Sequence, residues 1–145
     1  MNWLRIGALF AMTGVMLGAF GAHLLKDSLA QSGHTDTFET AVRYQMYHAL
    51  ALCGIGLHAW MAASRADDAP IRTNSRLRLA GVAMTAGILL FSGSLFVLSL
   101  SGIRWLGAIT PFGGGLMILG WALWLSCMST SGSTATPKQT DREHA

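Results

Sequence analysis

Four stretches of the chain, Ile6 to Leu25, Met46 to Ala63, Leu79 to Leu100 and Trp105 to Met128, contain no Asp, Glu, Lys or Arg. A helix rises about 1.5 Å per residue, so each stretch is long enough to cross a hydrocarbon layer of roughly 30 Å. None has the single polar stripe that a helix of a water-soluble bundle would need. The pattern therefore predicts an all-α protein: a four-span transmembrane helical bundle over residues 1–128, followed by a disordered cytoplasmic tail over 129–145. The first stretch follows directly on Arg5 and is longer than the apolar core of a cleavable signal, so it is expected to stay in the mature protein.

The segments between the spans have their own punctuation. Ser32, Gly33 and His34 interrupt the first connection, and Asp36 followed by Glu39 has the spacing of a capping box that opens a helix. The second helix is thus expected to begin about two turns before it enters lipid, with Glu39 and Arg43 as an i, i+4 pair. Ala66 to Ser75 reads as a polar loop, and the turn from Ser101 to Arg104 is short enough to make the last two helices antiparallel neighbours.

Composition and charge sharpen this picture. Of 145 residues, 52% are apolar and 12% charged, about half the charged share of a soluble domain. That balance excludes an intrinsically disordered chain, and two cysteines exclude a disulfide scaffold. Arg5, Arg65, Arg72, Arg76, Arg78, Lys138 and Arg142 fall on one side of the predicted membrane, and Lys26, Arg43 and Arg104 on the other. The excess places both termini in the cytoplasm. Trp3, Trp60, Trp121 and Trp124 fall toward the cytoplasmic side and Tyr44, Tyr47 and Trp105 toward the other, as interfacial aromatics would. The net charge of +3 faces anionic lipid in this arrangement. Membrane lipids are the expected partners. The basic residues form no continuous stripe for nucleic acid.

Glycine carries the packing. Gly7, Ala11, Gly14, Gly18 and Ala22 repeat small residues along the first helix, with Gly21 beside them, and such stripes let helices approach closely in lipid. They fit packing within the bundle, a homo-oligomer or a larger membrane complex. Gly113, Gly114 and Gly115 after Pro111 fit either close packing or a broken fourth helix.

The chemistry is concentrated at the outer ends of the helices. His23 closes the first span; Tyr44, Gln45 and His48 share the start of the second; Arg104 and Thr110 lie at the start of the fourth. Polar and ionisable groups in a bilayer are costly, so this grouping is the candidate polar cluster. It lacks the spacing of a metal site, and two histidines alone define no haem site; no metal, cofactor or catalytic residue is expected. Cys53 and Cys127 lie at different depths and read as small apolar residues.

At these residues the sequence resembles a known family. GAFGAHLLK at 18–26, TAVRYQMYHALAL at 40–52 and RWLGAITPFGGGLMILGW at 104–121 are similar to the motifs of the YgdD/YwdK-type family of small bacterial inner-membrane proteins. The resemblance implies a multi-pass membrane protein of this size, and it picks out Gly21, His23, Tyr44, Gln45, His48, Thr110, Pro111 and Gly114. It implies no reaction or ligand, because the family is of unknown function. The leading expectation is a small accessory or interaction protein packing through glycine-rich helices. Transport or binding of a small solute or proton at the outer cluster is the alternative, and a membrane redox or metal-binding protein the third.

Overall fold

The computed structural model describes residues 2–64 and 75–128. The loop read over 66–75 therefore lies outside the described residues except for Ser75, and the tail from 129 lies wholly outside them. Five α-helices follow in order: α1 (Trp3–Ala22), α2 (Lys26–Ser32), α3 (Thr35–Ser64), α4 (Ser75–Ser101) and α5 (Thr110–Met128), with a 3₁₀ turn at Arg104–Ala108 before the last. Among the described residues there is no strand. Four of these segments are long and apolar enough to cross a membrane: α1, α3, α4 and the stretch Arg104–Met128.

Local chemistry explains the boundaries. Asn2 Oδ1 accepts from the Arg5 amide (3.3 Å) and caps α1. The helix stops at Ala22 rather than Leu25, because the backbone turns at His23 and the Leu25 amide reaches back to Phe20 O. Residues 26–32, read from sequence only as part of a connection, form the short α2. It closes in a Schellman pair, Gly33 N–H to Ala30 O and His34 N–H to Leu29 O, which requires the left-handed φ of 70° that Gly33 supplies. Helix α3 then begins at Thr35, so Asp36 sits inside the first turn and not at the cap expected of it. There it still complements the positive helix end. Helix α3 has 30 residues and is about 45 Å long, so one end stands beyond the hydrocarbon. Gly102, with φ 72°, ends α4. Pro111 lies in the first turn of α5, where a missing N–H costs nothing.

The helices pack in chain order: α1 on α3, α3 on α4, and α4 on α5, each pair antiparallel. The inner helices α3 and α4 contribute most of the buried core, including Leu52, Ile55, Met84 and Ile88. Trp3 is buried with them. Its indole lies on Gly81 of α4, so it anchors the core and does not mark the interface as its position near a span end suggested. Trp60 and Trp105 are exposed. The outer helices leave broad apolar faces uncovered, with Val15 63% exposed on α1 and Ile118 72% exposed on α5. In water these faces would drive aggregation; in lipid they are solvated.

Glycine sets the spacing. A Cβ on Gly7 would meet Ala49 O, Cys53 Sγ and Cys53 N at 2.7 to 2.8 Å, and one on Gly56 would meet the Leu4 backbone. Gly14 faces Gln45 and Met46, Gly18 faces Val42, and Gly21 faces the Phe38 ring. The stripe on α1 is thus the contact surface with α3. Gly113 lies against the Phe91 backbone of α4 and Gly114 near the Phe91 ring, while a Cβ on Gly115 would meet nothing within 4 Å. The glycine run therefore packs on one side, and α5 continues through it unbroken. Gly7→Ala is expected to force α1 from α3 and cost about 1–3 kcal/mol. Gly115→Ala should be neutral or stabilise by up to about 1 kcal/mol. Thermal unfolding of the two variants in detergent checks the contrast.

Candidate functional site

The structure distributes the candidate polar cluster over several contacts instead of gathering it at one point. Tyr44 and Gln45 are adjacent, so they point in different directions around α3. Gln45, 5% exposed, turns toward α1, where its Nε2 donates to Phe10 O and to Thr13 Oγ1, both at 2.9 Å. Thr13 in turn donates to a carbonyl one turn back. Tyr44 turns toward α4 and stacks on Phe91 with ring centroids 4.6 Å apart. His48, one turn further along the same face, is buried, stacks with Tyr44 and meets Trp121 of α5 edge-on. Its Nδ1 donates to the Tyr44 carbonyl at 2.7 Å, since a carbonyl can only accept.

Thr110 pairs with Ser94 of α4, their hydroxyl oxygens 3.0 Å apart. Arg104 is exposed on the 3₁₀ turn. His23 is exposed as well, against Met16, Ala19, Phe20 and Leu24 of its own helix and turn. The two histidines singled out from sequence thus occupy different surroundings, one outside α1 and one inside the α3–α4–α5 contact. Their shared depth, the basis for grouping them, carries no information about which way each helix faces. Among the described residues, no three His, Cys, Asp or Glu side chains are grouped so as to hold a metal ion.

Several partners had no signal of their own in the sequence. Phe91 is one of many apolar residues in its span, and the hydroxyls of Ser94 and Thr13 carry no mark of the face they occupy. His58, set apart from the cluster by its depth, accepts from Trp124 Nε1 at 3.1 Å across α3 and α5.

A groove opens at the α2 end of the bundle. Its apolar wall is formed by Gly18, Gly21 and Ala22 of α1, by Phe38 and Val42 of α3, which pack on Gly21 and Gly18, and by Leu29 of α2. Lys26, Glu39 and Arg43 line the same groove, which has a volume of about 520 Å³. All three charged residues are exposed. The expected Glu39–Arg43 ion pair does not form; Arg43 Nη2 instead donates to Thr40 Oγ1 at 3.4 Å.

Four membrane-length apolar helices, polar side chains turned inward and an apolar exterior define a polytopic helical membrane protein. Comparison with known sequences identifies which kind. The chain belongs to the family described as a protein of unknown function (DUF423), whose model matches residues 17–114. It is similar to a UPF0382 membrane protein of Staphylococcus epidermidis, 45% identical over 116 residues, covering 80% of this chain and 85% of the relative. It is also similar to the UPF0382 membrane protein YwdK of Bacillus subtilis, 42% identical over 118 residues, covering 81% of this chain and 88% of YwdK. No solved structure matches. The resemblance read from the three motifs is thereby shown, and the family's description assigns no reaction or ligand.

The Gln45–Thr13 contact is the polar link between α1 and α3 that can be measured. A double-mutant cycle with Gln45→Leu and Thr13→Val should give a coupling of about 0.6 kcal/mol, rising to about 1.7 at most, in unfolding experiments in bilayer mimetics.

Proposed function

We propose that the protein is a non-catalytic accessory bundle of the cytoplasmic membrane, with both termini on the cytoplasmic side, that acts through what it binds at its periphery. The supporting observation is that the buried or helix-facing polar groups of the candidate cluster are engaged by partners within the bundle. Gln45 is held by Phe10 and Thr13, His48 by Tyr44, and Thr110 by Ser94. The Gln45 and Thr110 bonds join neighbouring helices and hold them in register, the His48 Nδ1 bond stays within α3, and groups engaged in this way are poorly placed to exchange partners with a passing solute. Transport at the outer cluster would be favoured by a fourth helix opened near Pro111, and α5 runs unbroken from Thr110 to Met128.

Of the uses read from the glycine stripes, packing within the bundle is the one these contacts support. Gly7, Gly14, Gly18, Gly21 and Gly113 face neighbouring helices of the same chain. A protein partner would meet the outward faces of the helices, such as Leu9, Met12 and Val15 on α1, Leu50 and Leu57 on α3, Leu89 and Val97 on α4, and Phe112 and Ile118 on α5. The orientation rests on the seven-to-three division of Lys and Arg between the two sides.

Extraction in a gentle detergent followed by size analysis and identification of co-purifying chains tests the reading. A defined oligomer or a stable co-purifying membrane protein is expected. A clean monomer whose reconstituted liposomes pass protons or a small solute, with the flux lost in His48→Ala, would overturn it in favour of transport.

A further inference from the structure

We propose that the groove between α1, α2 and α3 binds one diacyl glycerophospholipid, with its phosphate between the Lys26 ammonium and the Arg43 guanidinium and one acyl chain along the apolar wall formed by Ala22, Leu29, Phe38 and Val42. The inference is independent of the accessory reading, since it holds whether or not a protein partner exists.

Three features select this ligand class. The first is shape. Phe38 packs on Gly21 and Val42 on Gly18, so α1 and α3 close on each other there, and the groove runs alongside that contact with Ala22, Leu29, Phe38 and Val42 as its apolar wall. A groove of about 520 Å³ falls within the usual size of a small-ligand site. It suits a flexible chain better than a partner helix, which is about 10 Å across.

The second feature is charge. Two cations and one carboxylate, Lys26, Arg43 and Glu39, leave the groove with one net positive charge, which matches a singly charged phosphodiester. Guanidinium and ammonium are the side chains best suited to phosphate oxygens. Arg43 holds only a 3.4 Å contact to Thr40, which a phosphate can replace.

The third is depth. The glycines belong to a membrane-length helix, and Lys26 begins the short helix directly beyond its end. The apolar walls therefore lie at acyl-chain level and the cations at headgroup level, where ammonium and guanidinium can pair directly with a lipid phosphate. A free phosphate could meet the cations but would leave the apolar channel without an occupant.

Native mass spectrometry of the full-length, delipidated protein with added dioleoylphosphatidylglycerol tests the proposal. Dioleoylglycerol, which lacks the phosphate, and glycerophosphate, which lacks the tails, serve as comparisons. The phospholipid should bind one per chain, at least tenfold more tightly than either comparison. Lys26→Gln and Arg43→Gln should each weaken it by about fivefold, and the double substitution by more than tenfold, while Arg78→Gln at the opposite end leaves it unchanged. Ala22→Phe, placed in the groove on an exposed residue, should abolish the adduct without lowering the unfolding temperature. Should that variant fold poorly, the double charge substitution, which alters only exposed side chains, still decides. Equal binding of dioleoylglycerol, equal binding of glycerophosphate, or undiminished affinity in the double variant overturns the proposal.

Discussion

The close approach of α1 to α3 is the contact on which the rest of the structure depends. Inside a bilayer, apolar side chains gain little by leaving lipid for one another, so helices associate where their backbones can come within van der Waals reach. Gly7 against Ala49 and Cys53, and Gly56 against Leu4, provide that reach at one end of the pair. Gly21 against Phe38 provides it at the other. The pairing brings Thr13 and Phe10 O to Gln45, seats Trp3 on Gly81 of α4, and leaves the groove that runs beside Gly18 and Val42. A side chain at Gly7 would disturb all of these together.

The polar residues follow from the same constraint. A buried amide or hydroxyl has no water to turn to, so it must be matched by a neighbour on the helix it packs against or by a carbonyl of its own helix. Gln45, Thr110 and Ser94 are matched across helices, His48 and Thr85 within their own. Ser92 is the exception among the described residues, a buried hydroxyl without a partner in the α4 core. Polar contacts here fix which faces meet, and the aromatic contacts of Tyr44, Phe91, His48 and Trp121 tie the first pair of helices to the second.

Sequence alone carries depth along a membrane helix and says far less about rotation around it. The absence of charge located four spans, because a charged residue in hydrocarbon is expensive whatever it faces. It also placed Gln45, His48 and Thr110 toward one end. It could not tell that Gln45 faces α1 while its neighbour Tyr44 faces α4, since no polar stripe distinguishes the sides of a helix solvated by lipid. Trp3 illustrates the same gap: a tryptophan at a helix end has the composition of an interfacial anchor, and only the glycine opposite it, 78 residues away at Gly81, makes it a core residue. The run Gly113 to Gly115 allowed a break, and the close fit of Gly113 on Phe91 shows why the helix persists. The short α2 was beyond reach because seven residues give too little periodicity to distinguish a helix from a connection.

The order of packing along the chain has a consequence for how the molecule is built. Helices α1 and α3 form one hairpin with glycine-tight backbone contact, and α4 and α5 form another through Gly87, Gly113 and Gly120. Each hairpin is made of neighbours in sequence and can close as soon as its second helix enters the bilayer. The α3–α4 seam, filled by larger side chains such as Phe38 on Phe96 and Tyr44 on Phe91, joins two preformed units. The arrangement thus suits assembly as two hairpin closures followed by one lateral docking along the α3–α4 seam.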